Sequence, residues 1–339
     1  MDKVLVLGAG VMGTALAVYL AENNRAVNLW GTKWDKEILT QMEQTRKNKA
    51  LEKDIPKNVN LFYEEELEEA FEDISLIVIA VSTKGIESVS KALGPYLKEN
   101  HMILSVTKGI DEEHLYTMSD VIKKALPERL RDKVDIIKLG GPIIAKEIAN
   151  GKYTEGIFAS KNIEAARYAR YIFHSSKFKG NTTTDIEGVE LCAAFKNPYA
   201  IAVGIVQGME GGMNNSKAAL MARGTIEMAN ILEAYGSSRE TALGLAGIGD
   251  YYVTSQGGRN GIFGSLLGKG KTVEEALEIM DYQTVEGLAT TLSGYKLLKK
   301  LEKEKNFDIK DKAFLFNELY DVLYKGKDVK KAMSNYWGS

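Results

Sequence analysis

A single cysteine, five prolines and three histidines are all that 339 residues contain of these types, and each shortage removes a class of protein. Cys192 has no second cysteine with which to form an intramolecular disulfide, so a stapled secreted fold is excluded and a reducing, cytoplasmic location is expected. His101, His114 and His174 show no paired ligand spacing, and no metal is expected. The prolines are too scattered to mark a linker, and neither an internal repeat nor a low-complexity tract is present. No Ser, His and Asp arrangement with a nucleophile turn supports covalent hydrolysis. Excess charge of either sign is also missing: 44 Lys and Arg against 46 Asp and Glu leave a net charge of −2. Without a basic surplus, neither nucleic acid nor a membrane surface is an expected partner. Long apolar runs are short as well. The opening MDKVLVLGAG breaks at Gly8-Ala9-Gly10 before a signal-peptide core is complete, and the run at 74–81 is less than half of the roughly 20 residues that cross a bilayer.

What is present reads as an ordinary folded chain, 45% hydrophobic and 27% charged. At about 150 residues per domain, the length predicts two domains. Between residue 3 and about 184, Val- and Ile-rich runs at 4–7, 26–30, 60–63, 75–81, 102–106, 135–139, 154–159 and 178–183 alternate with amphipathic stretches. That alternation predicts a mostly parallel sheet with helical crossovers, and runs that are apolar at consecutive positions predict a sheet covered on both faces. After Thr184 the spacing turns helical, over 186–208, 216–235, 288–301 and 312–324. The expected division is therefore 1–184 and 185–339, with Thr184 or Asp185 capping the first helix of the second part.

Gly8-Ala9-Gly10-Val11-Met12-Gly13 is a G-x-G-x-x-G between a predicted strand and a predicted helix over 11–21. In that context Gly8 permits the tight turn, Gly10 lets the backbone approach a pyrophosphate, and Gly13 allows close packing of helix on strand. The helix N-terminus, with Val11 and Met12 in its first turn, offers N–H groups to the anion. The fold class is thus α/β: a Rossmann-like, doubly wound, mostly parallel sheet, followed by an all-helical C-terminal domain. An NAD site of this type places an acidic residue at the end of the next strand. Here Leu29-Trp30 runs into Gly31-Thr32-Lys33-Trp34, and Asp35 is expected in the following helix. Thr32 and Lys33 can receive a 2′-phosphate or form a solvated loop, which leaves NAD and NADP both open.

The stretch VELCAAFKNPYAIAVG contains Lys196, the only charged residue between Glu190 and Glu210. One helical turn away lie Cys192, Ala193, Tyr199 and Ala200, so the ammonium leaves a small, apolar face. Such a lysine either runs its stem along the core to water or stands in a ligand-sized space where desolvation tunes its acidity.

Taken together, GAGVMGTALA, SVTKG, VELCAAFKNPYAIAVGI, NNSKAALMARG, GLAGIGDYYVTSQGGRN and VEGLATT resemble the NAD(P)-dependent sn-glycerol-3-phosphate dehydrogenases along nearly the whole chain. The resemblance implies interconversion of dihydroxyacetone phosphate and sn-glycerol 3-phosphate, a precursor for phospholipid synthesis, by a homodimer that takes NAD or NADP and a small phosphorylated substrate. By motif, Lys196 matches the catalytic lysine that protonates the developing alkoxide. Lys108 matches a second active-site lysine beside substrate and cofactor, and Asp250 the buried aspartate that holds Lys196. Ketone reduction builds negative charge on oxygen, which suits both lysines. Asn197 and Thr254 match polar groups that hold the substrate, while Arg259 and Asn260 match residues facing the substrate phosphate and the cofactor. A guanidinium pairs with two phosphate oxygens at once. Glu286 matches a residue near the nicotinamide. From sequence, Asn260 and Glu286 are equally compatible with a capped loop or helix start, and Arg223 reads as structural.

Three positions depart from the family pattern. Ile143 stands where relatives place a small polar residue, Pro198 where they have an aliphatic one, and Met12 where tryptophan is common. Proline at 198 is expected to bend its helix and release a carbonyl near Ala194. Ile143 and Pro198 keep reduction of another polyol or ketose phosphate in view as an alternative; a non-catalytic nucleotide sensor, the other alternative, would need Lys196, Lys108 or Asp250 to be lost, and all three are present.

Overall fold

The computed structural model describes residues 2–211 and 214–338. They form two compact units. The first reaches through Lys108 and resumes over Met118–Ile186; the second takes Gly109–Thr117 together with the chain from Glu187 onward. The strap Gly109–Thr117 thus groups with the helices, although the sequence places it inside the first part. Lys296 Nζ donates to the Glu112 carbonyl at 3.1 Å, and the strap folds back on itself through the Asp111 N–H to Tyr116 carbonyl bond of 2.9 Å.

The first unit is built on β1 (Lys3–Leu7), β2 (Ala26–Trp30), the short antiparallel pair β3 (Lys47–Asn48) and β4 (Lys53–Asp54), β5 (Val59–Phe62), β6 (Leu76–Ile79), β7 (Met102–Ser105), β8 (Asp135–Gly140), β9 (Thr154–Ala159) and β10 (Phe178–Thr183). Eight of them form one sheet in the order β10-β9-β8-β7-β6-β1-β2-β5. Its pairs are parallel except β8 with β9, so β9 and β10 run against the other six. The predicted strands fall on these elements. Along β1, Val4 and Val6 enter one core with Leu16 and Leu20, while Leu5 and Leu7 enter another with Ile77, Ile79 and Ile86. Successive side chains of one strand therefore feed two cores, the physical reason for the uninterrupted apolar run. Helices Val11–Glu22 and Ile163–Phe173 cover one face; Thr83–Leu93 and Met118–Ala125 cover the other. The direction of winding changes between β1 and β6, the place where doubly wound sheets hold their ligands.

Among the described residues after Glu187, every regular element is helical. The central helix, Ile186–Glu210, runs through Pro198 without a break. Its Ile186–Met209 part is long and apolar enough to cross a membrane, yet its apolar window is wholly buried in the protein, as in the core helix of a globular fold. Helix Gly258–Gly268 lies against it backbone to backbone. A Cβ on Gly204 would come 2.5 Å from the Gly261 carbonyl oxygen, and one on Gly264 would come 2.2 Å from that of Ile201. Glycine at these crossings sets the spacing of the two helices that bear Lys196 and Arg259.

Candidate active site

The glycine turn follows β1 at the switch point. Gly8 has φ +106°, and its N–H continues the ladder to the Trp30 carbonyl at 2.8 Å. A Cβ on Gly13 would lie 1.9 Å from the Gly8 carbonyl oxygen, so that glycine is imposed by helix-on-strand packing. Gly10 is different. Its φ of −67° and ψ of −176° suit any residue, and a Cβ there would meet nothing within 4 Å. The protein's own packing does not require glycine at this position. Helix Val11–Glu22 has no side-chain cap at Gly10 and no acidic residue in its first turn, which leaves its positive end open to an anion. Val11 is 48% exposed there, while Met12 packs against the core. These features fit a dinucleotide pyrophosphate.

The loop after β2 corrects one expectation. Asp35 ends the short 3₁₀ turn Lys33–Asp35, and its carboxylate swings back to accept hydrogen bonds from the Thr32 N–H at 2.9 Å and the Thr32 hydroxyl at 2.8 Å. A carboxylate therefore does stand beside the end of β2, brought by a side-chain contact that strand and helix patterns do not reveal. Lys33 places its ammonium over the Trp34 ring, 5.3 Å from the centroid, and Trp34 is 84% exposed. A carboxylate and an ammonium are thus both present in one loop.

Lys108 follows β7 in the turn of the SVTKG motif and is half-buried. The Thr83 hydroxyl donates to its carbonyl at 2.9 Å, and the Thr107 hydroxyl donates to the Val81 carbonyl at 2.8 Å. Ile143 does not line a polar surface: its side chain packs on the core, and its Cδ1 would lie 3.2 Å from a Cβ on Gly156.

In the helical unit, Lys196 projects from the central helix and is 4% exposed. Its ammonium donates to Asp250 Oδ1 at 2.7 Å and to Thr254 Oγ1 at 2.5 Å. Thr254 in turn donates its hydroxyl proton to the Asp250 carbonyl at 2.7 Å, which aims an oxygen lone pair at the lysine. Asp250 is 2% exposed and opens the helix Asp250–Ser255 directly after a π turn at Leu245–Gly249, a distortion frequent at functional sites. The lysine is therefore a buried, paired cation and not a stem leading to water. Removing either partner would take a close ion-pair contact from the other in a poorly solvated place.

Beside this pair, Asn197 donates to Glu286 Oε2 at 3.2 Å and accepts from Asn260 Nδ2 at 3.0 Å. Asn260 Oδ1 accepts the Gly287 N–H at 2.9 Å, in the first turn of helix Glu286–Lys305. Asn260 thus ties a helix start to Asn197 and sets where Glu286 stands, combining the two roles that the sequence leaves open. Arg259 stands in the first turn of helix Gly258–Gly268, exposed, with no ion pair or hydrogen bond to another described residue. That turn carries no acidic residue and no side-chain cap, so the guanidinium and helix end together form a phosphate-compatible surface.

A second buried network includes Arg223, read as structural from the sequence, but its centre, Glu227, is not singled out there. Glu227, fully buried, accepts from the Tyr199 hydroxyl at 3.0 Å, Arg223 Nε at 3.0 Å, and the N–H groups of Leu315 and Phe316 at 2.9 and 3.1 Å. Burial pushes the Glu227 carboxyl above its ordinary range and, with Glu227 nearby, pushes the Tyr199 hydroxyl well above its own. Tyr199 lies one turn beyond Lys196, and Tyr251, next to Asp250, donates to the Tyr199 carbonyl at 3.2 Å. Glu227 thereby anchors the helix that carries the lysine. In the sequence it shows only as a glutamate one helical turn after Arg223.

Two family models cover most of the chain. The NAD-dependent glycerol-3-phosphate dehydrogenase N-terminus matches residues 3–166, and the C-terminus of the same family matches residues 185–334. The NADP(+)-dependent glycerol-3-phosphate dehydrogenase of Archaeoglobus fulgidus is 36% identical over 339 residues, with 97% of each chain covered. An NAD(P)+ glycerol-3-phosphate dehydrogenase of Bacillus cereus is also 36% identical, covering 100% of this chain and 96% of its own. The crystal structure of glycerol-3-phosphate dehydrogenase from Coxiella burnetii superposes with a TM-score of 0.85 at 27% identity, covering 100% of this chain and 99% of that one. Full-length similarity of this kind, around a glycine turn and a buried lysine–aspartate pair, places the chain in the NAD-dependent glycerol-3-phosphate dehydrogenase family.

Proposed function

We propose that the protein interconverts dihydroxyacetone phosphate and sn-glycerol 3-phosphate, with Lys196 as the proton donor to the carbonyl oxygen. The observation that carries this reading is the Lys196 ammonium, buried and held at 2.7 Å by Asp250 and 2.5 Å by Thr254. NADH or NADPH supplies the hydride. As the ketone accepts it, negative charge grows on oxygen, and a fixed ammonium both stabilises that charge and delivers a proton. Asp250 keeps the lysine charged and oriented. Lys108 adds a second positive group for the substrate, and Arg259 with the N–H groups of its helix end takes the phosphate. Asn197 and Asn260 hold Glu286 and the surrounding backbone in register. Gly8, Gly10, Val11, Met12 and Gly13 take the pyrophosphate, and Thr32, Lys33 and Asp35 the adenosine end.

We further infer that the protein acts as a cytoplasmic homodimer on a soluble phosphorylated metabolite, with neither nucleic acid nor membrane as a partner. The experiment is NADH and NADPH oxidation against a panel of ketose phosphates that includes dihydroxyacetone phosphate, alongside light scattering for subunit number. Dihydroxyacetone phosphate is expected to show the highest kcat/KM. A different ketose phosphate turning over while this one does not would replace the substrate and keep the chemistry. Ile143, which contributes no polar atom, is the observation favouring that second reading.

A further inference from the structure

Lys138 stands inside β8 between Ile137 and Leu139 and is 1% exposed. It pairs across the sheet with Ser105 of β7 and Ala159 of β9. At an interior position of a sheet covered on both faces, an apolar side chain of the same length would cost far less than an ammonium. A residue kept against the local folding preference marks a functional constraint. The constraint is visible in its contact: the Lys138 ammonium donates to the carbonyl oxygen of Thr107, immediately before Lys108.

The rest of that turn is already pinned. The Thr107 hydroxyl holds the Val81 carbonyl, the Thr107 N–H donates to Ser105 Oγ at 3.2 Å, and the Thr83 hydroxyl holds the Lys108 carbonyl. These contacts hold the N–H of Thr107 and the carbonyl of Lys108, on either side of the peptide that joins the two residues. Lys138 holds the carbonyl of that peptide, from the β8 side. We propose that Lys138 is a positioning residue: by fixing the Thr107 carbonyl, it sets the direction in which the Lys108 side chain leaves the backbone. This inference rests on the role given to Lys108 above.

The test uses full-length Lys138→Met, Lys138→Arg, Lys108→Ala and the double variant Lys138→Met/Lys108→Ala, each measured for thermal unfolding, NADPH affinity by fluorescence titration, and kcat and KM for dihydroxyacetone phosphate. Lys138→Met removes the ammonium and keeps the volume, so the protein is expected to fold and NADPH affinity to stay within about twofold. Its kcat/KM should fall by roughly 10- to 100-fold, the scale of a misplaced catalytic group. Lys138→Arg, which can still donate to the carbonyl, should recover much of that loss. Because Lys138 acts through Lys108, the double variant should be no worse than Lys108→Ala alone. A Lys138→Met protein with wild-type kcat/KM overturns the proposal. So does one that melts earlier and loses NADPH affinity, since Lys138 would then be a packing residue, and so do fully additive losses in the double variant. If Lys108→Ala itself retains wild-type kcat/KM, the role of Lys108 fails first.

Discussion

The sheet unit and the helical unit hold their functional groups in opposite ways. In the sheet unit the glycine turn works through backbone: an uncapped helix end, a glycine whose missing Cβ leaves open space, and strands whose side chains are spent on two cores. In the helical unit the groups are side chains, buried as ion pairs and hydrogen-bonded clusters around Lys196 and Glu227. Fixed backbone dipoles suit a ligand anion that stays the same throughout a reaction. A buried, movable proton on a paired lysine suits charge that appears only in the transition state.

The sharpest way to test this contrast is to remove the side chain on which the helical unit depends. Lys196→Ala should lower kcat by at least about 10²-fold while NADPH affinity stays near wild type. Stopped-flow turnover and fluorescence titration separate the two; wild-type turnover would reduce Lys196 to a packed lysine. In the sheet unit the effect should divide between neighbouring glycines. Gly13→Ala drives a methyl to 1.9 Å from a carbonyl oxygen and should lower Tm together with cofactor affinity. Gly10→Ala meets open space in the protein, so Tm should hold while cofactor affinity falls by about 10-fold or more. Equal Tm losses in the two variants would show that Gly10 is a packing residue after all.

A smaller effect is expected at Glu227. Glu227→Gln presents an amide N–H to donors that need an acceptor and should cost roughly 1 to 3 kcal/mol by urea unfolding at pH 7. Burial raises the carboxyl above its reference of 4.5, so the folded state takes up its proton before the unfolded chain does as pH falls. The stability contributed by that protonation is present at acid pH and is lost as pH rises through the folded value. The gap between wild type and Glu227→Gln should therefore widen as pH falls toward 4.5. A gap that narrows would mean that the four donors outweigh burial. The smallest change is reserved for Asp35→Asn, which keeps the Thr32 contacts but removes a charge near the adenosine end. The ratio of NADPH to NADH kcat/KM should rise several-fold, and an unchanged ratio would leave Lys33 as the sole reader of this loop.

Much of this arrangement is legible in the chain because it rests on local, periodic constraints. The strands declare themselves by apolar residues at consecutive positions, which only a doubly covered sheet requires. Lys196 stands out as the one charge between Glu190 and Glu210 on a long apolar helix. What is hidden depends on contacts that periodicity does not encode. Asp35 returns three residues to bind Thr32, Asn260 reaches Asn197 and Gly287, and Glu227 collects donors from two other helices. The reversal of β9 and β10 is also invisible, since the residue pattern along a strand does not tell which way it runs beside its neighbour. The bend expected from Pro198 does not interrupt the helix, whose hold on its neighbours comes from close glycine crossings on both sides of the position.

The strap Gly109–Thr117 makes the sheet unit discontinuous along the chain, and this limits how the protein can be cut and how it can be made. No single scission separates the two halves. A chain truncated after Ile186 would carry the strap without the helices that cover it, exposing Ile110, which is 4% exposed in the whole protein. Autonomous expression of the sheet unit should therefore need the strap replaced by a short hydrophilic linker from Lys108 to Met118. During synthesis the sheet can form as soon as Ile186 emerges, but the strap must wait for the last third of the chain. The growing polypeptide thus passes through a stage in which a nearly complete nucleotide-binding fold carries an undocked strap with Ile110 uncovered.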